Sequence, residues 1–315
     1  MPDTLTDPAA STSAQASRSS GAAPPDAAGR PGRQLSRTSG HPGRIRRAGI
    51  YLGLLAASGF AVLPLLWGLS TSLKPESTVL ATPVRWIPEH FTLANYEAVL
   101  FHSQIPLNLL NSVIVSVVTV VVTLVIAVPA AYSAARYRFR GKAGLLFFIL
   151  MTSMVPGIAV LVPLYYLAVK LGVYDTYLVM IVIYSAWQVP TIVWILRGFF
   201  ESIPPEIEEA GRVDGMSAAG AFLRLVLPLA KPGLGAAAII TFVYVWNDYL
   251  IASTFVSDPD LRLISVGLYT YLTQYGTVWG QLTAAVMVTL LPMIIAFVLF
   301  ERRLVAGLSA GASKG

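Results

Sequence analysis

The sequence contains no cysteine. A disulfide framework, a thiol nucleophile and a thiolate metal site are therefore excluded. Charge is scarce as well: 12% of the 315 residues are Asp, Glu, Lys or Arg, against about 25% in ordinary soluble domains. So little charge cannot cover a soluble surface of this size, and with 55% hydrophobic residues the solvent of this chain must be partly lipid. The 3 histidines, His41, His90 and His102, are scattered outside the apolar runs, so no metal cluster is expected. A phosphate-binding loop is missing too. Gly141-Lys142 is preceded by Arg136 where the Gly-x4-Gly-Lys-Ser/Thr pattern requires glycine. The chain should therefore bind neither ATP nor any cofactor of its own. Its net charge of +6 could suggest nucleic acid, but the placement of the basic residues favours a membrane.

Residues 1–43 are rich in Ser, Ala, Gly, Pro and Arg and show no apolar periodicity. Such a stretch buries too little surface to offset its ordering entropy, so it reads as a disordered tail. Its Arg- and Ser-rich, acid-poor makeup is also that of an organelle transit peptide. No secretory signal is expected, because its apolar stretch would lie nearer Met1.

From Arg44 onward, charges punctuate long uncharged runs: Arg47 to Lys74, Glu97 to Arg136, Lys142 to Lys170, Asp175 to Arg197 and Arg262 to Glu301. A helix needs about 20 apolar residues to cross the hydrocarbon. The runs predict transmembrane helices near 49–71, 112–134, 144–167, 177–197 and 281–301, and a further one near 234–256 interrupted only by Asp248. Continuous runs rather than short alternating ones exclude a bilayer barrel. The expected fold is thus an all-α integral membrane protein with about six spans. Pro64, Pro129, Pro156, Pro163, Pro190 and Pro292 fall within them and predict kinks.

Loop charge sets the orientation. The tail, the loop with Arg136, Arg138, Arg140 and Lys142, the loop with Arg212, Arg224 and Lys231, and the end with Arg302, Arg303 and Lys314 hold nearly all the Lys and Arg. The alternate loops hold only Lys74, Arg85, Lys170 and Arg262. Basic loops stay in the cytoplasm, and an even number of spans puts both termini there. The same pattern removes the case for nucleic acid.

Residues 201–233, ESIPPEIEEAGRVDGMSAAGAFLRLVLPLAKPG, form the longest cytoplasmic segment between spans. Pro204 and Pro205 suit a helix start, and Glu206, Glu208 and Glu209 lie in the first turn, where the macrodipole favours negative charge. Asp214-Gly215 breaks the helix. Ser217 can cap a second helix with the face Ala218, Phe222, Leu225 and Leu229. Such a helix–turn–helix suits docking into a groove of a cytoplasmic partner, or lying as a connector on the headgroups.

The segment resembles the EAA loop of ABC importer permeases, a Glu-Ala-Ala, a gap, Gly, and a later Leu-Pro. Here it stands as Glu209-Ala210-Gly211, then Asp214-Gly215, then Leu227-Pro228. Gly211 replaces the second Ala, a small-for-small change that should loosen the helix by up to ~1 kcal/mol. MVPGIAVLVPLYYLAVKLGVYDTYLV at 154–179, WNDYL at 246–250 and RRLVAGLSAGASKG at 302–315 are similar to the carbohydrate, maltose-type branch of these binding-protein-dependent inner membrane components. The resemblance covers residues 45–315. It implies a second permease subunit beside this chain, two ATP-binding subunits below that carry the ATP and Mg, and an extracytoplasmic solute-binding protein above. In that scheme Glu209, Ala210, Gly211, Asp214 and Gly215 couple to the ATPase, and this chain catalyses nothing.

Asp248 is the only ionisable side chain well inside a predicted span, so it should face protein or a water-filled path. With Trp246 and Asn247 it could line the sugar path, Trp stacking on a pyranose and the polar pair accepting hydroxyls; Asn247 and Asp248 could equally bond across helices as packing glue. The outer segments 72–108 and 257–280 offer the surface for the binding protein, with contact expected at Tyr271, Gln274 and Tyr275 and interfacial anchoring at Trp279. Other readings are an importer of another solute (a sugar phosphate, polyamine or amino acid), an ion-coupled secondary transporter, which would normally show repeats and more midplane charge, and a membrane enzyme, for which the nucleophile and base are missing.

Overall fold

The computed structural model describes residues 44–273 and 276–312. The tail expected over 1–43 lies outside the described residues, as do Gln274, Tyr275 and the last three positions. The chain separates into residues 1–55 and 56–315. The described part of the first unit is the beginning of helix α1 (Arg44–Ser72).

In the second unit, α1 is followed by α2 (Glu76–Val79), α3 (Ala94–Phe101), α4 (Ile105–Arg136), α5 (Lys142–Ser153), α6 (Gly157–Lys170) and α7 (Tyr177–Ser202). After these come α8 (Glu206–Val213), α9 (Ala218–Ala221), a π turn (Phe222–Val226) and α10 (Leu227–Leu229). The chain continues through α11 (Lys231–Asn247), α12 (Leu250–Phe255) and α13 (Ile264–Tyr269) to a two-stranded hairpin, β1 (Leu272–Thr273) with β2 (Gly276–Thr277), and ends in α14 (Trp279–Ala312). Arg47–Ser72, α4, α7 and Trp279–Val298 are each long and apolar enough to cross a bilayer. Two bent pairs, α5 with α6 and 218–229 with α11, bring the number to six when each serves as one span.

The continuous helix expected over 144–167 is corrected by the structure: it is two, α5 and α6, which meet at 90°. Pro156 has no N–H to continue the helix and pushes Val155 out of the α region. Gly157 then lets α6 start hard against Trp187, whose ring lies 2.9 Å from where a Cβ would stand. The expected continuous helix 234–256 is likewise two, α11 and α12, separated at Asp248 and Tyr249. Pro64, Pro129, Pro163, Pro190 and Pro292 do lie inside helices.

The core is built on α4 and α7, with α11 packed against both and α14 against α11. Small residues permit the approach: Ala127, Ala131 and Ala134 on α4, and Gly233, Gly235, Ala236 and Ala237 on α11, are buried, as membrane helices without a hydrophobic driving force between them require. A polar stripe, Asn108, Ser112, Ser116, Thr119 and Thr123, runs buried along α4. At its N-terminal end Asn111 donates to the carbonyls of Asp260 (2.8 Å) and Arg262 (3.0 Å) and accepts from the Tyr177 hydroxyl (2.7 Å). The outward faces are apolar: Leu55, Phe60, Val125, Phe148 and Ile295 are all exposed, a surface stable in lipid and not in water.

Gly233 seats α11 on α7, since a Cβ there would stand 2.5 Å from the Phe199 ring. G233A should cost about 1–3 kcal/mol by overpacking, whereas G198A, with nothing within 4 Å of the added carbon, should be neutral or gain up to about 1 kcal/mol of helix propensity. Thermal denaturation of the full chain in detergent should place G233A below wild type and G198A at or above it; the reverse order would disprove the close contact.

Candidate functional site: the loop 201–233 and the break at Asp248

Helix α8 begins on its prolines. The carbonyl of Pro204 accepts from the Ile207 amide (3.3 Å) and that of Pro205 from the Glu208 and Glu209 amides (3.0 and 3.1 Å). The three glutamates of the first turn then divide. Glu206 and Glu209 are exposed, but Glu208 is 7% exposed and points back into the membrane domain. Its Oε1 accepts from Arg136 Nε at 2.5 Å, and its Oε2 from the Tyr132 hydroxyl at 2.6 Å. Arg136 also donates through Nη2 to the carbonyl of Ile203 (2.8 Å). The last turn of α4 therefore holds both the end of α7 and the start of α8 through one buried ion pair. Around it Tyr132 packs on Phe200 and Phe222, within a core that includes Leu196, Val226 and Ala230.

Helix α8 ends in a Schellman motif. The Met216 amide reaches the carbonyl of Gly211 (2.9 Å), the Gly215 amide that of Arg212 (3.0 Å), and Gly215 takes φ +88°, where an L side chain would be strained. Ser217 caps α9, accepting from the Gly220 amide at 3.1 Å. The π turn shifts the face expected for this second helix. Leu227 N–H reaches back to Phe222, adding a residue to the turn, so Ala221 and Val226 are buried while Ala218 and Leu229 face out.

Of the predicted coupling residues, Glu209, Ala210, Asp214 and Gly215 are exposed together on the outer side of the loop. Gly211 is buried, and a Cβ there would stand 2.6 Å from Leu225 Cδ1. The glycine thus does more than loosen a helix: it lets α8 close on the segment after it. Sequence reasoning missed Glu208 and Arg136, whose charges it had assigned to the helix dipole and to orientation. It also missed Val213, 88% exposed, and Leu223, 57% exposed, which give the outer side of the loop an apolar component. Glu208 could have been suspected from its place one turn before the buried Gly211 on the same helix face, but Arg136 is 72 residues away and gives no local sign.

At the other candidate site, Asp248 closes α11 and opens α12. Its Oδ1 accepts from the Ile251 amide (2.8 Å) and from the Tyr184 hydroxyl (2.9 Å), and its carbonyl from Ser265 Oγ (2.7 Å). Asn247 is exposed, with its amide nitrogen spent on the Val243 carbonyl (2.8 Å). Trp246 is buried and stacked on Phe242 at 5.3 Å, so in this conformation it offers no face to a sugar. An aromatic pair that is open here is Tyr249 and Tyr269, stacked at 4.4 Å and both exposed; the sequence placed them in the 246–250 and 257–280 segments but gave no sign that they meet.

Tyr271 is corrected as well: it is 8% exposed and packs with Val99, Ile105 and Trp246 rather than facing a partner. Gln274 and Tyr275 fall between the hairpin strands, outside the described residues. Among the described residues no three His, Asp or Glu side chains gather to hold a metal.

The Arg136–Glu208 pair has side chains only 12% and 9% exposed, so removing one partner strands a buried charge. E208Q and R136Q should each cost about 3 kcal/mol, and the double variant distinctly less than their sum. Denaturation of the full chain in detergent measures the cycle. Trypsin cleavage at Arg212 should quicken in the single variants, and additive costs with unchanged cleavage would show that the pair does not hold the loop.

The sequence profile of the binding-protein-dependent transport system inner membrane components matches residues 124–308. The sulfoquinovosyl glycerol transport system permease protein of Agrobacterium fabrum is 36% identical over 277 residues, 88% of this chain and 95% of the relative. The trehalose transport system permease protein of Mycobacterium tuberculosis is 35% identical over 82% of this chain and 94% of its own. The trehalose/maltose transport system permease protein of Thermococcus litoralis is 31% identical over 86% and 98%. Among solved structures, a chain of a bacterial ABC transporter involved in the import of the acidic polysaccharide alginate shares the fold, with a TM-score of 0.72 at 22% identity over 82% of this chain and 97% of that one. A profile match over more than half the chain, joined to relatives above 30% identity along more than four fifths of it, makes this protein a member of the binding-protein-dependent transport system inner membrane components, the multi-pass permease subunits of ABC importers.

Proposed function

We propose that this chain is one of two permease subunits of an ATP-driven importer that moves a sugar or oligosaccharide across the cytoplasmic membrane. Two separate ATP-binding subunits would hydrolyse the nucleotide with its Mg, and an extracytoplasmic binding protein would deliver the solute. The observation that carries the reading is the loop 201–233, anchored from behind by Glu208–Arg136 and exposed in front at Glu209, Ala210, Val213, Asp214 and Gly215. A surface loop free to move on its own could not pass force to a span. One tied by a buried ion pair to the end of α4 can, and α4 is the helix on which α7 and α11 pack. Closure of the ATPase pair on the loop would then tilt these helices as a body between inward- and outward-facing arrangements.

Two further features support a second membrane subunit and a polar path. The α5–α6 elbow, with Met154 74% and Ile158 70% exposed, interrupts the backbone ladder between two halves that reach membrane length only together. Bent backbone at that depth is stable only against protein or water, which the companion permease and the path would provide. Beside the α11–α12 break, Asn247, Asp248 and the Tyr249–Tyr269 stack present hydrogen-bonding groups next to an aromatic face, the combination a pyranose ring uses. Sugar as the solute class follows from the relatives named for sulfoquinovosyl glycerol, trehalose and trehalose/maltose. The basic loops support a cytoplasmic position for the loop 201–233 and both termini, with 1–43 read as a tail and 44–315 as the transport domain. The outer segments, including the hairpin with Gln274 and Tyr275, would meet the binding protein.

G215P and E209K should leave membrane insertion and ATP hydrolysis by the assembled transporter intact while uptake falls about tenfold or more, a loss of about 1.4 kcal/mol of coupling. Proline cannot take the φ of +88° found at Gly215, and lysine inverts the charge of the exposed face. Vesicle uptake of labelled trehalose, with ATP and with an uncoupler in parallel, measures it. Normal uptake in both variants, or uptake that collapses with the uncoupler alone, would refute the coupling role.

A further inference from the structure

The segment between α1 and α3 closes on itself on the side opposite the coupling loop. The Thr92 amide donates to the carbonyl of Leu73 (3.0 Å), and Asn95 Nδ2 donates to the carbonyls of Ser72 (2.9 Å) and Lys74 (2.8 Å). Trp67 and Trp86 meet edge to face at 4.8 Å, and Ser70 Oγ donates to the Trp86 carbonyl. Inside this closure lies Lys74, 4% exposed. Its Nζ donates to the carbonyl of Arg85 at 2.6 Å and sits 4.6 Å from the centre of the Trp67 ring.

An ammonium carries three donors, and here one oxygen and one ring face receive them. No carboxylate among the described residues pairs with it. Glu76 is spent on the amides of Trp279 (2.9 Å) and Gly280 (2.7 Å), where it caps α14, and Glu89 pairs with Arg85. A buried charge without a counter-ion is costly, and burial lowers the Lys74 pKa from its ordinary value. Beside the ammonium is a cavity of about 200 Å³ walled by Lys74, Thr78, Thr82, Arg85, Glu89 and His90.

We propose that this cavity is an extracytoplasmic carboxylate site in which Lys74 is the fixed cation and Arg85 the exchangeable one. The charge of the wall selects the ligand. Two cations and the one carboxylate of Glu89 sum to one positive charge, which a monoanion matches and a phosphate dianion exceeds. The Arg85–Glu89 pair is exposed, at 50% and 64%, and exposed pairs of this kind are weak, so an arriving carboxylate can take Arg85 over from Glu89. Thr82 adds a hydroxyl donor, the Thr78 hydroxyl being spent on the Pro75 carbonyl. The volume admits a carboxylate with one sugar ring or the acid end of a Glu side chain. Two sources carry that group to the outer face: an acidic sugar, or an acidic side chain of the docking binding protein. The site rests on the proposed importer orientation, in which segment 73–92 faces outward.

Trp67, in contact with Lys74, reports on it. The full chain in nanodiscs, without ATP or companion subunits, is titrated with glucuronate, N-acetylglutamate amide, glucose and chloride while tryptophan emission is followed. Both carboxylates should shift the emission with a Kd of about 1–10 mM, with glucose and chloride inactive. W67F should lose the signal, K74R should keep it, and K74M should bind about thirtyfold or more weakly. R85Q, a change at an exposed residue that the fold tolerates, should weaken binding as well. Tighter glucuronate identifies an acidic sugar as the source, and tighter N-acetylglutamate amide a protein side chain; either supports the site. A response no stronger than to glucose or chloride, or equal binding by K74M and R85Q, overturns it. Because no transport is measured, failure here leaves the importer reading standing, and loss of ATP-dependent uptake leaves this titration unchanged.

Discussion

The ion pair between Glu208 and Arg136, closed by the Tyr132 hydroxyl, joins two parts of the chain with different solvents. Helix α4 is apolar along its length and packs by small residues and methyl groups, while α8 lies beyond the end of that span and carries charge on half of its positions. Van der Waals packing alone would let such a loop slide over the helix ends. A buried carboxylate with two short, directed hydrogen bonds does not slide, because any displacement leaves a charge unpaired in a poorly solvated place. The aromatic cluster of Tyr132, Phe200 and Phe222 excludes water from the pair and so keeps it strong. The loop can therefore behave as a rigid extension of the span rather than as a tether.

The same economy of polar groups explains where the membrane helices break. At Pro156 the backbone turns and α5 and α6 part at a right angle; at Asp248 a side chain substitutes for the helix ladder, accepting from the Ile251 amide as α12 begins. Both breaks lie within runs that hydropathy treats as continuous. In lipid each interrupted carbonyl or amide must find a partner, so breaks of this kind belong where another subunit or a water-lined path supplies one. The unpartnered hydroxyls along α4, at Ser116, Thr119 and Thr123, are neutral and small. They give the helices polar contact without fixing a single register, which suits elements that must move past one another.

Much of the arrangement was legible in the chain's punctuation. Uncharged runs located the long apolar helices, Pro156 marked the break between α5 and α6, and Asp214-Gly215 with Ser217 located the turn of the loop 201–233, where the structure finds a Schellman motif and a capped helix. These features are local: a cap, a break or a span depends on residues within one or two turns, so the order of residue types carries the information. The second loop helix shows the limit of that locality. Its apolar face was assigned on a regular period of 3.6 residues, and one π turn at Phe222–Val226 rotated Leu229 out to solvent.

By itself, then, the sequence determined that this is a helical membrane protein, which of its loops are basic, and where an exposed helix–turn–helix interrupts the spans, because solvent preference and backbone geometry are written residue by residue. Only the tertiary structure decided that Glu208 rather than Glu209 turns inward, that Trp246 and Tyr271 pack in the core while Tyr249 and Tyr269 stay open, and that Lys74 is buried with no carboxylate among the described residues paired to it. Neighbouring glutamates are chemically identical, and aromatic rings serve cores and binding surfaces alike. What separates them is the partner brought across from a distant helix, here Arg136 from 72 residues away, and chain order does not encode that distance.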